Sequence, residues 1–181
     1  MRAGHQGPGR RAVFLDRDGV LNAMVRQGGK WRPPWRLSEL RLVPNVAQAC
    51  ALLRQSGWDL IVVTNQPDVA RGALEKATLT ALHRQLRQWL PLDEIRACLH
   101  DDADDCLCRK PKPGMLLDAS RSRQLELTQC WMIGDRMKDI EAGRAAGCRT
   151  LRVGAEGELP DLSAAANHIL EATSPHNFHG R

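Results

Sequence analysis

The sequence lacks any apolar run close to the roughly 20 residues that a membrane-spanning helix needs. Its first eleven residues also lack the apolar core of a secretory signal peptide. These two absences argue against a membrane protein and against an exported one. We therefore expect a soluble, cytoplasmic protein with no membrane partner.

Runs of lysine and arginine that could follow a nucleic-acid backbone are absent as well. The net charge is +5, but four of these charges belong to arginines near the two ends of the chain: Arg2, Arg10, Arg11 and Arg181. Residues 12–180 therefore carry a net charge of only +1. This distribution predicts no nucleic-acid partner.

The 181 residues, 43% hydrophobic and 26% charged, have the size and composition of one globular domain. Short apolar segments alternate with segments of helical period that end at glycine or proline. The predicted strands are 12–15, 60–63, 95–99, 131–133 and 149–153; the predicted helices are centred on 46–53, 79–90, 115–121 and 137–146.

This alternation predicts an α/β fold, a Rossmann-like, doubly wound parallel sheet with helices on both faces and no large cap domain. We expect one domain over residues 11–173, between a flexible N-terminal tail, 1–10, and a C-terminal tail, 174–181. Residues 23–44 form an insertion after the first strand that is long enough to be functional.

Reactive side chains follow four of the predicted strands. Asp16 and Asp18 follow the first strand, Thr64 ends the second, Lys110 lies in the loop after the third, and Asp135 follows the fourth. Each has an ordinary structural explanation by itself, as a turn residue, a helix cap or a solvated basic loop. Because the carboxyl ends of parallel strands share one edge of a sheet, we expect them to meet there. Such a group can hold Mg²⁺, offer an oxygen nucleophile to phosphorus and neutralise phosphoryl oxygens.

At these residues the sequence resembles the haloacid dehalogenase superfamily of phosphotransferases. Its four motifs match, in order, Asp16-Arg17-Asp18-Gly19, Thr64, Lys110 and residues 134–139, within a resemblance that covers about residues 12–153. The resemblance implies that the predicted domain is a phosphatase domain.

The same resemblance implies a role for each residue. Asp16 would attack phosphorus to form an aspartyl-phosphate, and Asp18 would protonate the leaving alcohol and then activate water. Mg²⁺ would lie between Asp16, the backbone carbonyl of Asp18 and Asp135. Asp139 is expected to orient Arg136, Lys138 or a metal-bound water. The residues expected to bind substrate are Arg17, Asn65, Gln66 and Arg109.

Three thiols and an imidazole, from Cys98, His100, Cys106 and Cys108, lie within eleven residues. This Cys₃His set suits a tetrahedral, structural Zn²⁺ site, whereas chance burial and disulfides in the cytosol are poorer explanations. The remaining cysteines, Cys50, Cys130 and Cys148, are predicted to be core thiols.

A zinc loop that runs directly into Arg109-Lys110-Pro111 is similar to two related enzyme families, the bacterial D-glycero-D-manno-heptose 1,7-bisphosphate 7-phosphatases and the histidinol-phosphate phosphatases. The five residues between His100 and Cys106 are similar to the second family, while the segment 110–115 and the free-standing chain favour the first. The resemblance makes Arg109 a contact for the distal part of the substrate.

The resulting hypothesis is a monomeric, Mg²⁺-dependent phosphatase that removes the 7-phosphate of a heptose bisphosphate through an aspartyl-phosphate. A histidinol-phosphate phosphatase is the near alternative, for which residues 101–105 offer acidic partners. A nucleic-acid end phosphatase and an inactive zinc-stapled binding module are more distant alternatives. The segment 31–36 either closes over a sugar and a second phosphate or is a proline-stiffened surface loop.

Overall fold

A computed structural model of the chain describes residues 10–173. The predicted tails, 1–10 and 174–181, lie outside the described residues except for Arg10. The strands are β1 Ala12–Leu15, β2 Val25–Gln27, β3 Lys30–Arg32, β4 Asp59–Asn65, β5 Glu94–Cys98, β6 Trp131–Gly134 and β7 Arg149–Arg152. The helices are α1 Val46–Gln55, α2 Lys76–Trp89, α3 Gly114–Arg123, α4 Met137–Ala146 and α5 Leu162–Thr173.

Five strands form one parallel sheet in the order β5-β4-β1-β6-β7, so the predicted doubly wound α/β fold is confirmed. Side chains of β1 alternate between two cores. Val13 and Leu15 pack with apolar residues of α1, α2 and α5, whereas Ala12 and Phe14 pack with α3 and α4. Both faces of the sheet are therefore covered, which leaves its carboxyl edge as the place for a site.

Two elements were not predicted. The insertion 23–44 contains the antiparallel hairpin of β2 and β3, whose turn uses Gly28 and Gly29 at φ values of 56° and 77°. Helix α5 buries Leu162, Ala165 and Ile169, which follow the i, i+3, i+7 spacing of an amphipathic helix. That spacing is the signal that could have identified α5. No helix within residues 10–173 is long and apolar enough to cross a membrane.

Candidate active site

The predicted reactive side chains meet at the carboxyl edge of the sheet, around a cavity of about 380 Å³. Residues that line this cavity come from the ends of β1 and β4, from the hairpin, from the loop before α3 and from the start of α4. They include Asp16, Asp18, Thr64, Asn65, Gln66, Arg109 and Lys138. The sheet thus brings together residues that lie up to 122 positions apart in the chain.

Lys110 lies beneath the cavity floor with its side chain fully buried. Its ammonium group contacts Asp16 Oδ1 at 2.8 Å, Asp139 Oδ1 at 2.6 Å and the Val63 carbonyl at 2.7 Å. The contacts with Asp16 and Val63 are hydrogen bonds, and the contact with Asp139 is an ion pair. Burial by itself would lower the pKa of Lys110, but the charges of Asp16 and Asp139 raise it above its ordinary value, so the lysine is a fixed positive charge.

Asn65 brings Lys110 to this position. Its side-chain nitrogen donates to the Lys110 carbonyl at 2.9 Å, and its side-chain oxygen accepts from the Lys110 amide at 3.1 Å. The two hydrogen bonds close a ring between the end of β4 and the loop before α3. Asn65 was expected to contact substrate, and although it lines the cavity, its amide group is occupied by the lysine backbone.

The pKa of the Asp16 carboxyl group is strongly shifted by its surroundings. Burial raises the pKa of Asp16 to about 6, Lys110 opposes this rise, and the neighbouring carboxylates Asp139 and Asp18 add to it. Crowding of three carboxylates in one buried place is costly unless a cation or a reaction uses them. The electrostatics of the site therefore favour a bound cation beside Asp16.

Asp18 is held by donors on both of its oxygens. Asn22 donates to Oδ1 at 2.9 Å, Gln66 donates to Oδ2 at 2.7 Å, and the Arg17 guanidinium contacts both oxygens at 2.9 Å. Burial raises the pKa of Asp18, but Arg17 and these hydrogen bonds outweigh it and the net effect is a lowered pKa. In this conformation Asp18 is an ionised carboxylate at the cavity wall.

The side chain of Arg17, a residue expected to bind substrate, lies against Asp18. Its side chain is completely buried and does not line the cavity. Its donors go to Asp18, to the side-chain oxygen of Gln66 at 3.0 Å and to His83 Nε2 at 3.1 Å. The Arg17 side chain therefore contacts residues of the site and not the cavity itself.

Three carboxylates form a group that could hold a metal ion, since oxygens of Asp16, Asp135 and Asp139 lie within 4.8 Å of one another. Asp135 Oδ1 is buried and has no hydrogen-bond partner. Burial and the charge of Asp139 raise the pKa of Asp135. A Cβ on Gly19 would lie 2.4 Å from Asp135 Oδ2, so only glycine allows this approach. Hard oxygen donors with one orphaned oxygen fit Mg²⁺.

Asp139 has a partner that sequence reasoning did not identify. It was expected to orient Arg136, Lys138 or a water; its Oδ2 accepts from the Arg136 backbone amide at 3.1 Å, but its Oδ1 pairs with Lys110. A Cβ on Gly134 would lie 2.2 Å from Asp139 Cβ. The glycine at the end of β6 therefore lets α4 place Asp139 against the lysine.

The cysteine and histidine cluster predicted from the sequence is assembled. Cys98 Sγ lies 3.6 Å from both His100 Nδ1 and Cys106 Sγ, and Cys108 Sγ lies 3.3 Å from the same histidine nitrogen and 3.4 Å from Cys106. Ligands bound to one tetrahedral metal at about 2.0–2.3 Å are separated by about 3.3–3.8 Å. The four atoms therefore fit a closed metal site. The other cysteines, Cys50, Cys130 and Cys148, are buried as predicted.

The loop that carries the cysteine and histidine cluster adjoins the catalytic edge directly. The Gly114 amide donates to the Leu107 carbonyl at 3.1 Å, and a Cβ on Gly114 would lie only 2.3 Å from that carbonyl oxygen. The loop is thereby pressed against the first turn of α3. Arg109 and Lys110 lie between Leu107 and Gly114 in the chain. The conformation of the loop therefore determines the backbone positions from which both cationic side chains extend.

Arg71 and Arg109 both line the cavity. Arg109, which was expected to contact the distal part of the substrate, has an acidic partner that was not foreseen, since its Nε contacts Asp102 Oδ1 at 2.7 Å. Arg71 pairs with Asp101 and reaches Asp102 at 3.4 Å. Sequence reasoning missed Arg71, because a single arginine in a loop carries no pattern that points to a cavity.

The insertion 23–44 also lines the cavity, through Met24, Trp31, Arg32, Pro33 and Trp35. Arg32 and Arg36 both pair with Glu39, at 2.9 Å each, and Arg32 also stacks on the ring of Trp35 at 4.2 Å. The Trp35 indole donates to Asp68 at 2.8 Å. Trp31 is 65% exposed and lines the cavity. Arg32 and Arg36 thus share a single carboxylate, and both Trp31 and Trp35 line the space where a substrate would lie.

Comparisons with known proteins agree with this geometry. The model of a family described as haloacid dehalogenase-like hydrolase matches residues 32–147. The D-glycero-beta-D-manno-heptose-1,7-bisphosphate 7-phosphatase of Pseudomonas aeruginosa is 34% identical, over 90% of this chain and 99% of the relative. The alpha-anomer 7-phosphatase of Mycobacterium tuberculosis is 33% identical, over 90% and 88%.

A solved structure is similar throughout. The D,D-heptose 1,7-bisphosphate phosphatase of Bordetella bronchiseptica, complexed with magnesium and phosphate, is 34% identical and covers 90% of this chain and 99% of its own, with a TM-score of 0.77. The family model covers Thr64, Lys110 and Asp135 and begins after Asp16 and Asp18. The chain belongs to the haloacid dehalogenase-like hydrolase family.

Proposed function

We propose that the protein is a Mg²⁺-dependent phosphatase that hydrolyses the 7-phosphate of D-glycero-D-manno-heptose 1,7-bisphosphate through an aspartyl-phosphate intermediate. The observation that carries this proposal is the pairing of Asp16 with buried Lys110 beside a cavity that Arg71 and Arg109 also line. The site thus offers a nucleophile with a fixed cation, together with guanidinium groups that could bind a second anion. The heptose part of the proposed substrate is taken from the names of the relatives, which are heptose bisphosphate phosphatases.

The chemistry follows from the positions of the side chains. An oxygen of Asp16 attacks phosphorus, and the bond between phosphorus and the sugar oxygen breaks while Lys110 and Thr64 stabilise the phosphoryl oxygens. When bound, Mg²⁺ would neutralise charge shared by the carboxylates and the phosphoryl group.

Asp18 carries the proton in this reaction. Asp18 takes up a proton before the reaction and gives it to the departing sugar oxygen. It then takes a proton from the water that attacks the phosphorylated Asp16, which restores the Asp16 carboxylate and the protonated Asp18 and releases phosphate. Gln66 supports both residues, because its amide donates to Asp18 and also to the Thr64 hydroxyl at 2.9 Å. We propose that the amide groups of Asn65 and Gln66 act on the substrate through Lys110, Asp18 and Thr64.

Two metal sites belong to the proposal. Asp16, Asp135 and the backbone carbonyl of Asp18 would hold Mg²⁺, with Asp139 close by, and Cys98, His100, Cys106 and Cys108 would hold structural Zn²⁺. Support for the first is the orphaned oxygen of Asp135, and for the second the spacing of the four sulfur and nitrogen atoms. Because the zinc loop leads into Arg109 and Lys110, it would keep the catalytic lysine in place.

A bisphosphate is favoured over histidinol phosphate by the charges near Arg109. An ammonium group on the substrate would need free carboxylates, but Asp101 and Asp102 are paired with arginines and Asp105 is paired with Lys112. A second phosphate could instead replace Asp102 as the partner of Arg109 and Arg71. The near-neutral charge of residues 12–180 argues against a nucleic-acid substrate.

A panel assay tests the proposal. Phosphate release is measured from both anomers of heptose 1,7-bisphosphate, from histidinol phosphate and from a 3′-phosphorylated oligonucleotide, with and without Mg²⁺. We expect kcat/KM to be highest for one heptose anomer and to depend on Mg²⁺. A preference for histidinol phosphate or for the oligonucleotide would overturn the substrate, and no turnover of any ester would overturn the activity.

We further propose a cytoplasmic monomer, because the described residues of one chain supply every catalytic group.

A further inference from the structure

We propose that Arg17 and His83 form a positioning pair that fixes the carboxyl group of Asp18 toward the cavity. This inference rests on the proposed function, in which Asp18 transfers the proton, and it adds His83, a residue of α2 that the function did not include. Neither side chain of the pair lines the cavity, so the pair acts through Asp18.

Arg17 has the geometry of a rigid support. Its side chain is completely buried, its Nη2 contacts both oxygens of Asp18 at 2.9 Å, and its Nε contacts Oδ1 at 3.1 Å. A planar guanidinium that grips both oxygens of a neighbouring carboxylate restricts rotation of that carboxylate. Asn22 and Gln66 hold Asp18 from the sides, while Arg17 holds it from behind.

His83 in turn holds Arg17. The distance between Arg17 Nη1 and His83 Nε2 is 3.1 Å. Arginine offers donors and no acceptor, so the histidine nitrogen must be the acceptor, and the imidazole is therefore neutral with its proton on Nδ1. This assignment agrees with the pKa of His83, which burial and the charge of Arg17 lower to about 4.

The pair links a helix to the catalytic strand. His83 lies in α2 between Leu82 and Leu86, two leucines that are fully buried in the core. The helix is therefore fixed against the sheet on the same face that presents the histidine. Because α2 is anchored by this packing, the imidazole is a stationary acceptor, and Arg17 cannot turn away from Asp18 without leaving a buried donor unpaired.

The consequence for catalysis is specific. Protonation of the leaving oxygen matters for a sugar alkoxide and little for nitrophenolate, which leaves readily as an anion. A displaced Asp18 should therefore slow phosphoryl transfer from an alkyl phosphate much more than from p-nitrophenyl phosphate. The ratio of kcat/KM values for these two esters isolates the step in which the alcohol leaves.

Four variants test the pair in the Mg²⁺-loaded enzyme. His83→Leu removes the acceptor, His83→Gln retains a carbonyl acceptor, and Arg17→Lys removes the planar fork. Leu86→Ala is the matched control, since it opens a cavity on the same helix without touching Arg17. Each variant is assayed on p-nitrophenyl phosphate and on the alkyl phosphate that the wild type hydrolyses fastest, and its Tm is measured.

We expect His83→Leu and Arg17→Lys to lower kcat/KM about 10-fold or more for the alkyl phosphate and less than about threefold for the aryl ester. His83→Gln should restore most of the alkyl activity. Leu86→Ala should lower Tm and leave the ratio of the two activities unchanged. An unchanged ratio in both His83→Leu and Arg17→Lys, or the same change in Leu86→Ala, would overturn the pair while leaving the proposed function intact. A wild type inactive on every ester would instead overturn the proposed function itself.

Discussion

Replacement of the nucleophile should separate activity from stability. In Asp16→Asn the amide keeps the shape of the carboxylate and can still accept from Lys110 Nζ, which lies 2.8 Å from Asp16 Oδ1. It cannot be phosphorylated, so we expect turnover to be abolished. Stability should not fall in parallel, because burial beside two other carboxylates makes the charge of Asp16 unfavourable to the folded protein without metal.

The magnitude follows from the pKa of Asp16, which burial raises from 3.8 to about 6. A raised folded-state pKa makes the charged group a cost that is absent below pH 3.8, grows as the pH rises to about 6 and is constant above it. The full cost is at most about 3 kcal/mol. In Asp16→Asn, Lys110 makes a weaker hydrogen bond to the amide than to the carboxylate. This loss reduces the expected gain in the free energy of unfolding by about 1–2 kcal/mol.

Urea unfolding of wild type and Asp16→Asn in magnesium-free buffer checks this reasoning. We expect the variant to gain stability relative to the wild type as the pH rises from about 4 to about 7, and to be equal or more stable at the upper end. Added Mg²⁺ should raise the midpoint of the wild type more than that of the variant. A difference that does not change with pH would refute the electrostatic account. Substantial residual turnover in the purified variant would refute the assignment of the nucleophile.

Three further predictions concern the surroundings of the nucleophile. Cys106→Ser should lower Tm, and it should lower the zinc content, measured by elemental analysis, below one ion per chain. A wild-type protein that is fully stable without zinc would contradict this. Gly134→Ala should lower both stability, by about 1–3 kcal/mol in urea unfolding, and kcat, because its Cβ would collide with Asp139; a variant with wild-type kcat would show that this approach is unimportant. Arg109→Ala should reduce kcat/KM about 10- to 150-fold for the bisphosphate and little for p-nitrophenyl phosphate, whereas equal losses on both would give Arg109 a role in the chemistry.

The sheet and its catalytic edge were predictable because buried parallel strands are continuous apolar runs. Residues 12–15 and 131–133 contain only apolar side chains, and each is followed at once by a carboxylate or by glycine and a carboxylate. The topology of a parallel sheet then places these carboxylates at the same edge, and this placement does not depend on the conformation of the loops between the strands. Asp16, Thr64, Lys110 and Asp135 could therefore be assigned to one edge before any coordinates were known.

The contacts behind the edge could not be predicted in the same way. Arg17 and His83 are 66 positions apart, and their contact depends on how α2 is rotated against the sheet, which no local pattern records. The partner of Asp139 was misjudged for a related reason. Spacing along α4 identifies residues on one helix face, but Lys110 reaches Asp139 from a different loop.

The hairpin shows a third kind of limit. Its strands have only three residues each and are largely exposed, so they lack the alternation that identifies a strand in a sequence. The Gly28-Gly29 turn was the available signal. The hairpin lines the cavity, and the ion pairs of Glu39 with Arg32 and Arg36 hold it in place. These ion pairs form only in the folded protein, so no local sequence pattern indicates them.

Phosphorus-31 NMR of heptose 1,7-bisphosphate during turnover tests the central claim most directly, because the two phosphate groups of the substrate give separate signals. With the Mg²⁺-loaded enzyme, the signal of the 7-phosphate should disappear as free phosphate accumulates, while the 1-phosphate signal persists. Release of the 1-phosphate, or no release at all by enzyme that binds both metals, would contradict the account.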